Sequence, residues 1–120
     1  MGFRVEYPIQ ESVMLNQQNQ VLSRIEPNGE GGTQFLYRVN QYGIAAVSSP
    51  QEDVSRIHWK VDIIKYRNSN TLQYDLCHTT ELADKTLTFR NDKSLNEFLG
   101  KAFVYFTELQ SLEDMLGDEL

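Results

Sequence analysis

Two hydrophobic periods run along this chain, and the switch between them divides it. Up to about residue 90 apolar side chains recur at every second position, the spacing of half-buried strands; from residue 94 they recur every third or fourth, the spacing of a helix laid on a core. Phe3, Val5, Tyr7 and Ile9 open the alternation, with Pro8 marking a short or edge strand because it has no N–H for a ladder. Phe35, Tyr37 and Val39 form a second alternating run, Gln41-Tyr42-Gly43 predicts a turn, and Ile44 to Val47 a short return strand. The clearest signal follows. Ile57, Trp59, Val61 and Ile63 face one way while His58, Lys60 and Asp62 face the other. Arg67-Asn68-Ser69-Asn70 is turn chemistry, and Leu72, Tyr74 and Leu76 then resume the alternation, which predicts a β-hairpin. A last strand is expected at 86–90, carrying Leu87 and Phe89.

Residues 12–25 fit two patterns. As a short extra helix, Ser12 caps it, Met14, Val21, Leu22 and Ile25 share a stripe, and Pro27 stops it. As a hairpin, Val13 to Leu15 pairs with Val21 to Ile25 across a polar turn, a pattern favoured by the polar gap at Gln17 and Gln18.

The C-terminal period predicts one long amphipathic helix. Ser94 and Glu97 have the spacing of a capping box, and Leu95, Phe98, Leu99, Ala102, Phe106, Leu109 and Leu112 make its stripe, to about Leu116 with Gly117 ending it. Gly100 inside the helix costs up to about 1 kcal/mol relative to Ala, which points to close packing on the sheet. Phe103 and Val104 lie off the stripe and widen the apolar sector, as a helix with a second neighbour would require. The fold class that follows is α+β: an antiparallel meander of about five or six strands packed against one C-terminal helix, in a single domain over 1–120.

Composition narrows the function classes more than it names one. With 120 residues, 40% hydrophobic, the chain can bury a core without disulfides, and its net charge of −6 gives no general attraction to phosphate backbones or anionic membranes. From residue 94 onward Glu97, Glu108, Glu113, Asp114, Asp118 and Glu119 oppose Lys101 alone. Residues 113–120 are therefore an acidic tail, expected to fray because carboxylates oppose the negative end of the helix dipole. The opening residues lack the basic-then-apolar order of a secretory signal, no apolar run approaches a spanning helix, and Cys77 is a lone thiol; a cytoplasmic location without membrane attachment is the expectation.

Candidate chemistry is sparse. Cys77 and His78 are adjacent, but neighbouring strand residues point to opposite faces and do not form a thiolate–imidazole pair. With a turn centred on Ser69, His78 lies opposite about residue 60, so His58, His78 and Asp62 are weak candidates for a divalent metal. Asn28-Gly29-Glu30-Gly31-Gly32 leads into a strand, not a helix, and so lacks the context of a phosphate loop. Lys60, Lys65 and Arg67, with Tyr66 as a stacking ring, are candidates for single-stranded nucleic acid, whereas Trp59 faces the core. No cofactor and no catalytic residue are expected. The leading expectation is a non-catalytic interaction or regulatory protein that binds another macromolecule, foremost a protein or a second copy of itself, through residues such as Phe103 and Val104. The alternatives are nucleic-acid binding on the sheet face and a small-molecule pocket between sheet and helix.

Overall fold

The computed structural model describes residues 15–27, 32–48 and 58–118. The strand expected at Phe3 to Ile9, the glycine-rich loop through Gly31 and the polar connection after Ser48 lie outside them. Six strands and one helix follow in order: β1 (Gln20–Ile25), β2 (Thr33–Val39), β3 (Tyr42–Ser48), β4 (Trp59–Tyr66), β5 (Tyr74–Leu76), β6 (Leu87–Phe89) and α1 (Asp92–Asp118). All pairings are antiparallel, in the order β1-β2-β3-β4-β5, with β6 also pairing β4. The fold is thus an antiparallel sheet with one long C-terminal helix.

The alternation in sequence sorts side chains between the two faces of this sheet. Tyr37, Ile44, Ala46, Trp59, Val61 and Ile63 share one face, because Tyr37 lies opposite Ile44, Ala46 opposite Val61 and Ile44 opposite Ile63. They pack with Leu95, Leu99, Ala102, Phe103 and Phe106 from α1. Burying each of its Val, Leu, Ile and Phe side chains contributes roughly 1.5–3 kcal/mol, which makes this layer the main core. Phe103, expected off the stripe, belongs to it: its ring tilts against Tyr37 at 5.7 Å between centroids. An apolar sector spanning i, i+3, i+4, i+7 and i+8 takes in residue 103 beside 95, 99, 102 and 106.

The opposite face holds a smaller cluster of Leu36, Ala45, Ile64 and Tyr66, with Leu22 and Tyr74 at its margin. Among the described residues no helix or second sheet covers it; long side chains of the sheet lie down across it instead. The Tyr66 ring crosses β3 above Gly43 and its hydroxyl donates to the Tyr37 carbonyl of β2 at 2.9 Å. A Cβ on Gly43 would stand 2.0 Å from that same carbonyl oxygen and 2.8 Å from the Tyr66 ring, so only glycine admits this crossing. The Arg38 guanidinium stacks 4.3 Å from the Tyr66 ring centre, and its three nitrogens donate to the carbonyls of Asn40, Thr71 and Asn68. One side chain thereby ties the β2–β3 turn to the β4–β5 loop.

Several sequence expectations are corrected. Of the two patterns at 12–25 the strand holds at Gln20–Ile25, and it pairs with β2, while residues 13 and 14 of the expected other arm lie outside the described residues; a bulge at Val21 lies between Gln20, opposite Tyr37, and Leu22, opposite Leu36. Pairing with a hydrophobic neighbour overrides a weak helical stripe. The β2–β3 turn is Asn40-Gln41 rather than Gln41-Tyr42-Gly43: Val39 faces Tyr42, and Asn40 takes the positive φ of 59° that a two-residue hairpin turn demands. Strand β5 begins at Tyr74, leaving Leu72 in the loop.

The helix also starts earlier than its capping box implied. Asn91 is the cap: its side-chain oxygen accepts from the Ser94 N–H at 2.8 Å and its carbonyl from the Leu95 N–H at 3.2 Å. Asn caps as well as Ser does, and Asp92 behind it suits the positive end of the dipole. The Asp92 carboxylate accepts the Trp59 indole N–H at 2.8 Å, fastening the helix start to β4. Gly100 faces solvent with nothing within 4 Å of where a Cβ would stand, so close packing is not its reason. No feature of the structure explains it.

Candidate functional site

A cleft opens where the second half of α1 passes the end of β5. Its volume is about 520 Å³, and its walls are Tyr42 and Lys65 from the sheet, Cys77 and Thr79 to Glu81 from the chain after β5, and Tyr105, Glu108, Leu109, Leu112 and Glu113 from the helix. The sequence places these groups there for separate reasons. Tyr42 begins β3 on the helix-facing side, directly opposite Lys65 near the end of β4. Cys77 extends β5 by one bond, its N–H reaching the Ile63 carbonyl at 2.8 Å, before the chain leaves the sheet. Tyr105, Leu109, Leu112 and Glu113 follow helical spacing along the flank of the core stripe.

Its polar groups are largely engaged with one another. The Tyr42 hydroxyl donates to the Glu113 carboxylate at 2.5 Å, which pins the helix to β3. Burial first, and the adjacent carboxylate second, hold this hydroxyl protonated well above the ordinary tyrosine range. The Tyr42 ring stacks on Phe106 at 5.7 Å on one side, and the Lys65 ammonium stands 5.3 Å from its centre. The Tyr105 hydroxyl accepts the Glu81 N–H at 3.2 Å and so closes the far wall. The cleft combines apolar walls, tyrosine rings and three carboxylates, Glu81, Glu108 and Glu113, against one ammonium, Lys65.

On the opposite face the hairpin register decides which candidates meet. Ile64 lies opposite Leu76, which shifts His78 from residue 60 to Asp62. The His78 Nε2 and Asp62 Oδ1 are 3.1 Å apart, and the Thr86 hydroxyl donates to the same oxygen at 2.5 Å. His58 is not part of this group. It precedes β4, four residues from Asp62 and hence about 13 Å along the strand. Among the described residues no three His, Cys, Asp or Glu side chains are grouped to hold a metal ion. Cys77 packs with the helix-side core while His78 bonds to Asp62 on the other face, so the two do not form a nucleophile–base pair.

The basic candidates are dispersed rather than gathered. Lys60 is exposed on the face away from the helix, while Lys65 points to the helix side over Tyr42. Arg67 forms a two-pronged ion pair with Asp75, at 2.9 and 3.2 Å. Tyr66, the expected stacking ring, is buried, with Arg38 covering it and its hydroxyl bound to backbone. Alternation put Tyr66 on the right face, but the strand pattern does not reveal that Arg38 lies over it. Val104 is exposed and faces away from the sheet, unlike Phe103.

Sequence reasoning missed the cleft residues Tyr42, Tyr105, Glu108 and Glu113 as a group. The spacing of 105, 108, 109, 112 and 113 along one helix flank was the available signal; their meeting with Tyr42 and Glu81 depends on where the helix crosses the sheet. Among the described residues no helix is long and apolar enough to cross a membrane. No protein-family model, no curated protein and no solved structure matches the chain.

Proposed function

We propose that the chain is a non-catalytic interaction domain that binds another protein through the outer flank of its C-terminal helix. One observation carries this reading: Leu112, Met115 and Leu116 stand 51%, 62% and 55% exposed on adjacent turns of α1. Spaced by three and four residues, they form one apolar strip next to the cleft. Clustered apolar side chains left in water on a charged helix are what a partner's surface would cover.

The charge around the strip favours a basic partner over a second copy. Glu108, Glu113 and Asp114 lie on the same stretch of helix, and Lys101 is the sole basic residue from position 94 onward. A symmetric contact between two such ends would bring carboxylates together, which opposes association. A protein segment carrying Lys or Arg among apolar residues complements the strip in both respects.

A displayed random-peptide library, selected in parallel on the native chain and on the triple variant L112S/M115S/L116S, tests the reading. Circular dichroism confirms that the variant keeps its helix. Enriched peptides should be basic and apolar, and should bind the native chain at least about tenfold more tightly, a difference of roughly 1.4 kcal/mol. Peptides that bind both chains equally, or no enrichment at all, would overturn it. A stable dimer in light scattering that the triple variant dissolves would replace the basic partner with a second copy.

A further inference from the structure

We infer that the cleft beside the strip is a socket for a single basic side chain, the guanidinium or ammonium of the partner's Arg or Lys. This rests on the interaction-domain reading above and adds the chemistry of the contact. The cleft is large enough for one such side chain, at about 520 Å³, and its lining matches a long amphipathic cation part by part. Leu109, Leu112 and the ring of Tyr105 offer apolar surface to an aliphatic stem. Glu81, on the chain after β5, and Glu108, on α1, both line the cleft and offer carboxylates to the head group.

Two observations fix the sign of the charge. The cleft already holds a cation of the chain's own, the Lys65 ammonium 5.3 Å from the Tyr42 ring centre, so its walls accommodate an ammonium over an aromatic face. Against that one positive charge stand three carboxylates, Glu81, Glu108 and Glu113. An anionic or purely apolar occupant would leave the carboxylates uncompensated as water is displaced.

The test uses n-butylguanidinium as the probe, with sodium butyrate as a control of equal stem and opposite charge. Each is titrated into the isotopically labelled full chain while amide resonances are followed. With n-butylguanidinium, shifts confined to Thr79–Glu81 and to 105–113 should saturate in the millimolar range of a fragment, and butyrate should leave them unmoved. Glu108→Gln and Glu81→Gln should each weaken binding by about two- to fivefold, the range for a partly exposed charge pair. Lys65→Gln should strengthen it by a similar factor of about two to five, because it removes a like charge from the same cleft. Tyr42 and Glu113 are left intact, since their hydrogen bond holds the helix to the sheet.

Shifts scattered over the surface, equal shifts with butyrate, or a Lys65→Gln variant that binds more weakly would overturn the socket. This outcome is separable from the fate of the interaction domain. Library peptides that depend on Leu112, Met115 and Leu116 but contain no excess of Lys or Arg would sink the socket and leave the domain reading standing. Saturable n-butylguanidinium binding in the cleft with no peptide enriched would do the reverse.

Discussion

At the scale of single residues, Arg38 has the largest part for which the sequence offered no cue. Its planar fork reaches three carbonyls on two loops while its face stacks on Tyr66, a geometry that an ammonium on a flexible stem does not reproduce. Arg38→Ala should destabilise the chain by about 2 kcal/mol in urea unfolding, the scale of losing hydrogen bonds made by a charged group. Arg38→Lys should recover less than half of that, because it keeps a cation near the ring but gives up the fork. A lysine variant as stable as the native chain would show that the charge matters and the fork does not. Tyr66 and Gly43 belong to the same arrangement, since the ring passes where any Cβ on residue 43 would stand.

Among the elements, the helix is the one whose stability can be tuned from outside the core. Gly100 is exposed, within the helix, and clear of neighbours, so Gly100→Ala removes a backbone-entropy penalty without creating a clash. The expected gain is up to about 1 kcal/mol, seen as a higher urea midpoint with an unchanged slope. A loss of stability would mean that the position tolerates no side chain after all. The helix is fastened to the sheet near both ends, by Trp59 to Asp92 and by Tyr42 to Glu113. The second anchor holds the acidic half of the helix to the sheet at Glu113, against charges that oppose the dipole.

For the whole molecule, buried tyrosines set the alkaline limit of the fold. Burial raises Tyr37 and Tyr66 from the ordinary value of 10.0 to about 12, and Tyr42 moves in the same direction. In each case the neutral hydroxyl is favoured by the folded state. The unfolded chain releases these protons near pH 10 while the folded chain keeps them, so stability is intact below that pH and falls as pH rises from about 10 to 12. Tyr37 and Tyr66 each contribute a slope of up to about 1.4 kcal/mol per pH unit in that window. Chemical unfolding at a series of pH values should show this decline, and Tyr66→Phe should make it shallower by about one tyrosine's share. An equally steep decline in that variant would show that Tyr66 does not hold its proton through the fold.

Much of the fold was legible because a strand and a helix bury one face each and therefore write their periods into the chain. The alternation of 35–39 and 57–63 and the helical period from 94 to about 116 announced their elements, and Trp59, Val61 and Ile63 announced which face they bury. What the sequence could not decide was anything set by registration between elements. The register that sets Ile64 opposite Leu76 brought His78 to Asp62 and left His58 outside that pair. Pairing with β2 likewise chose strand over helix at residues 20–25. The cleft belongs to this second kind: Tyr42 and Glu113 are 71 positions apart, and only the line along which the helix crosses the sheet makes them neighbours. Local periodicity is a property of consecutive residues, whereas side-chain meetings depend on how separately specified elements pack, and in this protein the candidate site is made entirely of such meetings.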